Sequence, residues 1–442
     1  MQDEGHSPSG QTTSKQATST QATPTQATIT RPTTSRPQGL QPPSIQAPNT
    51  QPAAPAAMTR LYVLAVILFV SYLTVAMALP VVPVFVVHDL GLSNALAGTA
   101  VGIAFLSTIV TRGYAGGVSD KRGAKLSMAR GLVAYALGSA ICLAAGLPGL
   151  PVSIAFALLV FGRLVIGLGE SMTAVGVIAW GIGIVGPARS GKVLAMVGAA
   201  LYGAFAIGAP IGLILSDHLG FSGLMLASAI LPLLGLLAIW KITGVAGNPH
   251  AARPPMIEVI GRIWRQGAIV CLQGIGFAGL GAFFSLYFGA RGWDNAGLGL
   301  TAFGVGFVLV RFLFGHLPDK LGGLPVAIGS LVVETLGQLV IWQAQSPGLA
   351  LLGAFMTGLG CSMIFPAMGR DVVHRVPQHL RGTALGAFSA FQDLAYGLTG
   401  PVVGLMIDRA GYSVVFMLGT VAAALGLVLA LSVQRRTDLS EA

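Results

Sequence analysis

The sequence predicts an all-α membrane protein of twelve transmembrane helices in two pseudo-symmetric six-helix bundles. Three observations point there. Only 9% of the residues are charged while 54% are hydrophobic, and mean hydropathy is +0.77, so a soluble core would lack the polar shell it needs. Apolar runs of membrane-spanning length follow one another from Leu61 with short breaks. Finally, a charged turn, Gly116-Gly117-Val118-Ser119-Asp120-Lys121-Arg122-Gly123-Ala124-Lys125, returns 199 residues later as Gly315-His316-Leu317-Pro318-Asp319-Lys320-Leu321-Gly322. One turn upstream, each copy has an arginine, Arg112 and Arg311, at the same offset. A turn repeated in matching places of two apolar halves is the mark of an internally duplicated membrane protein.

Taken in order, residues 1–57 form a separate regime of Ser, Thr, Gln, Pro and Ala, with Gln-Ala-Thr at 16–18, 21–23 and 26–28. Such a tract buries too little apolar area to offset its ordering entropy, so it reads as a disordered tail. No charged and apolar regions precede a cleavage site, and no removable signal peptide is expected. Met58 stands directly before the first apolar run and is a candidate true start. The first bundle spans 58–243, with helices expected over 61–86, 94–115, 125–147, 152–184, 191–215 and 220–243. The run 152–184 is long for one span, and its second half is Gly-rich. A linker at 244–265 follows, whose latter part suits either a short amphipathic surface helix or a solvated connection. The second bundle spans 266–433, with helices over 266–289, 296–316, 323–345, 348–374, 382–407 and 412–433, and residues 434–442 form a tail.

The net charge of +10 does not imply a nucleic-acid partner, because the basic residues sit in short loops. Twenty of the 25 lysines and arginines fall in the tail, turns, linker and C-terminus that share one side. The opposite loops hold only Arg291 and Arg409, and Arg112, Arg163 and Arg311 lie within helices. Both termini are therefore expected in the cytoplasm. Cys142, Cys271 and Cys361 lie in apolar runs without metal-ligand spacing, and they are expected to pack as small apolar side chains. No metal or other cofactor is expected. His374 and His379 flank a turn and read as solvated.

The charged turn resembles the Gly-x-x-x-Asp-(Arg/Lys)-x-Gly-x-(Arg/Lys) pattern of the major facilitator superfamily. Gly116, Asp120, Lys121, Gly123 and Lys125 fill its positions, and the second copy keeps Gly315, Asp319, Lys320 and Gly322 but not the last basic residue. The physics of the turn stands beside the resemblance. Gly116 and Gly315 permit close helix approach, Gly123 and Gly322 permit a tight turn, and the aspartate can face a neighbouring helix N-terminus. The resemblance implies that this contact latches the cytoplasmic side shut.

Arg163-Leu164-Val165-Ile166-Gly167-Leu168-Gly169 looks like the family's Arg-x-x-(Gln)-Gly-x-Gly motif, with Ile166 at the polar place. The second half echoes only Gly358 and Gly360, at an offset of 191, with Ala354 where an arginine would stand. Gly208 and Pro210 in helix 5 match Gly400 and Pro401 in helix 11, the prolines again 191 apart, and loosely resemble a Gly-Pro motif associated with antiporters. Gly169-Glu170-Ser171, Ala179-Trp180-Gly181 and Gly208-Ala209-Pro210 look like the bacterial inner-membrane YhhS-type group, placed near sugar and drug efflux carriers.

The resemblance implies a secondary transporter that moves a small organic molecule by alternating access. It further implies location in the cell inner membrane, action as a monomer in the lipid bilayer, and no enzymatic step. Proton-coupled export is the favoured expectation. An uptake symporter or uniporter, and a non-transporting sensor or scaffold of the same fold, remain open. No Gly-x-x-x-x-Gly-Lys-(Ser/Thr) run suggests ATP hydrolysis, and no nucleophile set suggests an intramembrane enzyme.

An ionisable group at the bilayer centre costs roughly 2.5–3.5 kcal/mol on insertion scales, so each one needs a reason. Glu170 lies two turns after Arg163 on the same helical face, where it is a proton-coupling candidate or one half of a permanent neutralising pair. Asp393, beside Gln392 and near Tyr396, is the second proton candidate, or an interhelical tie. Glu334 shares a face of helix 9 with Gln338. The resemblance places that helix at the periphery, which favours structural pairing. Arg112 and Arg311 either snorkel to the surface or pair with Asp120 and Asp319 in the gate, and the duplication favours the gate. Tyr72, Trp180, Tyr202, Phe283, Phe284 and Phe391 could line a pocket or simply pack.

Overall fold

The computed structural model describes residues 55–186, 189–248, 256–377 and 380–441. Nearly all of the expected tail, together with Arg253, Pro254, Pro255 and His379, lies outside the described residues. The helices are α1 (Pro55–Val84), α2 (Asn94–Arg122), α3 (Ala124–Ala145), α4 (Val152–Val185), α5 (190–219), α6 (221–240), α7 (Met256–Ala290), α8 (Gly297–Phe314), α9 (Gly323–Trp342), α10 (Pro347–Arg375), α11 (Arg381–Ala410) and α12 (Ser413–Glu441). A π-helical turn, Phe85–Asp89, continues α1, and a single turn, Leu317–Leu321, precedes α9.

Among the described residues, ten helices are long and apolar enough to span a bilayer. One of them, Ser190–Trp240, is two spans joined at Gly220, whose φ of 69° and ψ of 178° reverse the chain in a single residue. α11 is the further long helix, less apolar because it carries Gln392, Asp393 and two threonines. This accounts for all twelve expected spans. Local signals set the starts. Ser93 accepts a hydrogen bond from Leu96 N at 3.4 Å, and Ser346 does the same for Leu349 N at 3.4 Å with Pro347 behind it. α1 is already helical at Pro55, where the described residues begin and earlier than expected, and Ala56-Ala57-Met58 are good helix formers. α7 starts at Met256, so the stretch considered for a surface helix is the first part of a span, with Val259 and Ile263 buried against α10 and its neighbours.

Small residues set the packing within each bundle, and they recur between halves. Gly138 and Gly162 bring α3 onto α4, and a Cβ on either would lie 2.7 Å from the other's carbonyl. Gly337 and Gly353, at the same offsets, bring α9 onto α10. Gly167 and Gly169 contact α2 and α3 in this way, and Gly208 packs on Ala76 and Met77 of α1. Between the bundles, α2 packs on α11 and α5 on α8.

The charged turns take the tight form their glycines permit. Gly123 has φ 101° and Gly322 has φ 91°, a region that disfavours a side chain. A Cβ at Gly123 would also sit 3.0 Å from Val245 O. Gly123→Ala is therefore expected to lower the stability of the purified protein by about 1–3 kcal/mol, the cost of holding a side chain in a positive-φ, extended region that only glycine favours, as a fall in midpoint during thermal unfolding. An unchanged midpoint would refute it. Gly116 is buried, whereas Gly315 is exposed and a Cβ there would meet only its own helix. The second turn therefore lacks the close helix approach predicted for it.

Candidate functional site

The bundles meet along α2–α11 and α5–α8. At the end away from the charged turns the contact is backbone on backbone. Gly98 faces Gly400, Gly102 faces Gly397, and Gly404 faces Asn94. Asn94 Nδ2 donates to Asp408 Oδ1 at 2.8 Å, and Tyr412 OH donates to Asn94 Oδ1 at 2.9 Å, which closes that rim. Pro401 stands beside Gly400, and Pro210 lies near Gly297 of α8, so the repeated Gly-Pro elements sit at this seal.

At the inner limit of the seal, Arg112 on α2 forms an ion pair with Asp393 on α11, both mostly buried. Arg112 thus serves the partner bundle, and not Asp120 as expected. Glu170 on α4 is buried nearby. Tyr72 OH donates to its Oε1 at 3.0 Å, and its Oε2 has no hydrogen-bond partner. Its expected partner Arg163 is turned away. Arg163 Nε donates to Ala100 O at 3.1 Å and Nη2 to Val101 O at 3.3 Å, tying α4 to α2, while Nη1 is unpartnered. The tie satisfies two donors that a distance of two helical turns would not bring to Glu170.

Aromatic rings from both bundles surround this level. Tyr72–Phe205, Phe205–Phe277, Phe277–Tyr396 and Phe105–Tyr396 form a chain with centroid distances of 5.1–5.2 Å. They belong to α1, α2, α5, α7 and α11. The space between them, lined by Leu79, Val101, Phe105, Phe277, Ala282 and Tyr396 among others, is about 10 Å³. That is room for about one water molecule. Tyr202 stacks on Phe307 at 4.2 Å, and Gln392 Nε2 lies 3.4 Å from Tyr202 OH.

Sequence reasoning named Tyr72, Tyr202 and, beside Asp393, Tyr396, but missed Phe105, Phe205, Phe277 and Phe307. Their only local signal is recurrence on helices that also carry acids or small residues. Phe283 and Phe284 instead pack with Tyr287, Phe288 and Phe416 in the second bundle. Trp180 lies far from this level and donates to Thr243 O at 3.1 Å. Phe391 packs over Gly267.

Arg311 does not reach Asp319. Its Nη2 donates to Ser362 O on α10 at 2.7 Å, and its guanidinium lies over the rings of Tyr202 and Phe307, at 5.3 and 5.0 Å. Asp319 pairs with Arg370 at 3.5 Å on an exposed surface. In the first turn, Lys125 Nζ donates to Trp240 O at 3.0 Å and Ile242 O at 2.7 Å, capping the end of α6. Asn248 N donates to the backbone O of Asp120 at 2.7 Å. A cavity of about 250 Å³ lies here, lined by Ser119, Asp120, Ala124, Ala179 and residues 245–248.

Glu334 and Gln338 are wholly buried. They face Gly276, with Gln273 and Cys361 beside the carboxyl, and no hydrogen bond of normal geometry joins Glu334 to Gln338. The expected pairing is therefore a shared polar cluster with unpartnered atoms.

The comparisons agree with this architecture. The Major Facilitator Superfamily profile matches residues 64–299 and again 269–441. An uncharacterized MFS-type transporter of Salmonella typhimurium is 44% identical over 369 residues, covering 83% of this chain and 94% of that protein. An uncharacterized MFS-type transporter of Burkholderia mallei is 40% identical over 373 residues, covering 84% of this chain and 91% of that protein. Among solved structures, a D-xylose–proton symporter superposes with a TM-score of 0.69 at 18% identity, covering 84% of this chain and 97% of the other. The human organic anion transporter MFSD10 gives a TM-score of 0.65 at 16% identity, over 85% and 100%. With matches spanning both halves and relatives at 40–44% identity, the chain belongs to the major facilitator superfamily of membrane transporters.

Proposed function

We propose that the protein exports a small organic molecule across the cell inner membrane in exchange for protons, as a monomer rocking between two states. The observation that carries this is the Arg112–Asp393 ion pair, which joins the bundles where their seal ends. A proton on Asp393 removes its attraction for Arg112 and loosens α2 from α11. Loading of the acid is thereby linked to separation of the bundles. Glu170, with one free carboxylate oxygen at the aromatic chain, is the second proton carrier. The arginine-rich loops support cytoplasmic termini. With that orientation the glycine seal is periplasmic, and the charged turns Gly116–Lys125 and Gly315–Gly322 belong to the cytoplasmic gate. The repeated Gly-Pro elements at the seal support exchange over uptake.

The test is reconstitution into proteoliposomes of known orientation with an imposed pH gradient, scored by proton flux on addition of candidate substrates to either side. Export coupling predicts proton movement opposite to substrate. Glu170→Gln and Asp393→Asn are each expected to reduce it by about tenfold or more, as general for buried charged groups that must change state. If both variants keep gradient-driven flux, the proton assignment fails.

A further inference from the structure

We infer that the transported molecule is an organic anion, and that Arg311 on α8 receives its negative group; this rests on the transport reading above. The internal repeat supplies the comparison. An offset of 199 relates Arg112 to Arg311, and the offset of 191 that relates Pro210 to Pro401 also relates Tyr202 to Asp393. Across α2–α11, Arg112 meets Asp393. Across α8–α5, at the equivalent place, Arg311 meets the ring of Tyr202 at 5.3 Å. The same contact is thus built twice, once with a carboxylate and once with a phenol.

The substitution leaves the charge of Arg311 without a carboxylate. Arg112 is neutralised by Asp393, and Arg163, turned away from Glu170, spends two donors on the carbonyls of Ala100 and Val101. Among the described residues, no carboxylate pairs with Arg311. Asp319 pairs with Arg370, and Asp371 with Arg375. One carbonyl, Ser362 O, takes one of its five donors, and two rings offset part of the desolvation. A cation over a ring gains less than an intramembrane charge costs.

Arg311 is only partly buried, and the absence of a side chain at Gly198 of α5 lets the guanidinium come close, since a Cβ there would lie 3.3 Å from Nη1. A planar fork of donors matches a carboxylate, sulfonate or phosphate with two parallel hydrogen bonds. Tyr202 and Phe307 form an aromatic wall that continues toward Phe303, Phe277 and Tyr396. That wall suits a ring or another apolar body. The ligand chemistry is therefore an amphipathic anion, with its head at Arg311 and its body along the rings. Of the two acids at this level, Asp393 is already paired, and Glu170, held by Tyr72 and keeping one unpartnered oxygen, is the proton carrier proposed above.

The test is ligand-dependent thermal unfolding of the full chain in lipid nanodiscs. The probes are matched sets on one skeleton: benzoate, benzamide and benzylamine, and the corresponding naphthalene carboxylate, amide and amine. Carboxylates alone are expected to raise the melting temperature of the wild type. Arg311→Gln should weaken their apparent affinity by about tenfold or more, the worth of charge-assisted hydrogen bonds, and Arg311→Lys should restore part of it. Tyr202→Asp, which installs the carboxylate present in the other half, should abolish the response while the protein remains folded. Stabilisation by amines or amides as strong as by carboxylates overturns the inference. So does an undiminished response in Arg311→Gln, or no response of the wild type to any carboxylate. Because the readout is binding, its failure leaves proton-driven flux and the Glu170 and Asp393 variants to be judged separately.

Discussion

Replacing Arg112 with Met is expected to destabilise the protein by about 3–5 kcal/mol, the usual cost of leaving one member of a buried ion pair without its partner. Asp393 is 13% exposed at the side chain, so water cannot take over the role of the guanidinium. Asp393→Leu should cost a similar amount for the reciprocal reason. The double variant Arg112→Met/Asp393→Leu should recover most of either loss, since two apolar side chains can pack where two charges stood. Equilibrium unfolding of the three variants in mixed micelles closes the cycle. Additive losses would mean that the two groups do not interact, and that the site has been misread. A second consequence separates stability from function. The double variant should be as stable as the wild type to within about 1–2 kcal/mol, yet fail to translate a pH step into movement of α2 against α11. Spin-label distances between the ends of those helices at two pH values report this directly.

Leucine in place of Gly98 or Gly400 should shift the molecule toward the state in which this end is open. Each glycine meets the other's backbone, and a Cβ on either would run into a peptide carbonyl that cannot move aside as a side chain can. Overpacking costs about 1–3 kcal/mol, and here the cost falls on one state alone. That is a shift of roughly 5–150-fold in the balance between states. Transport should fall by a similar factor, because the cycle requires closure at this end. Alkylation of a cysteine placed at Leu106, which packs on Gly397 within the seal, should quicken in the glycine variants. Equal labelling rates in the two backgrounds would sink the prediction.

Much of this molecule was legible in the chain, and the limits are instructive. The twelve spans follow from runs of apolar residues, because a helix in lipid must satisfy its own backbone groups. Gly123 and Gly322 were readable because the tight turn demands a rare φ that few residues tolerate. The two acids, Glu170 and Asp393, stood out because charge is scarce here; Asp393 lies at the bundle interface, and Glu170 is buried against Tyr72 of its own bundle.

What failed were the partnerships. Arg112 is near Asp120 in sequence, yet it pairs with a residue 281 positions away. Helical spacing puts Glu170 and Arg163 on one face, but it says nothing of the α2 carbonyls, Ala100 O and Val101 O, that Arg163 takes instead. Nor could spacing reveal that Tyr202 occupies the place of an acid. That recognition needs both the repeat offset and the crossing of α5 with α8. Glu334 shows the reverse case. Its neighbour Gln338 was correctly placed on the same face, but the contacts that matter, with Gln273 and Cys361, come from two other helices.

The single-residue joint at Gly220 has a mechanical consequence. α5 runs along the second bundle, whereas α6 packs on α1 and α3 at the outside, where Gly235 meets Ile67, Ser71 and Leu132. With one residue between them, no slack exists for α5 to slide while α6 stays fixed. Any tilt imposed on the inner helix is handed at once to the outer one, and through it to α3. The first bundle must then swing as a stiff lever rather than bend helix by helix, and the compliance of the cycle is left to longer connections.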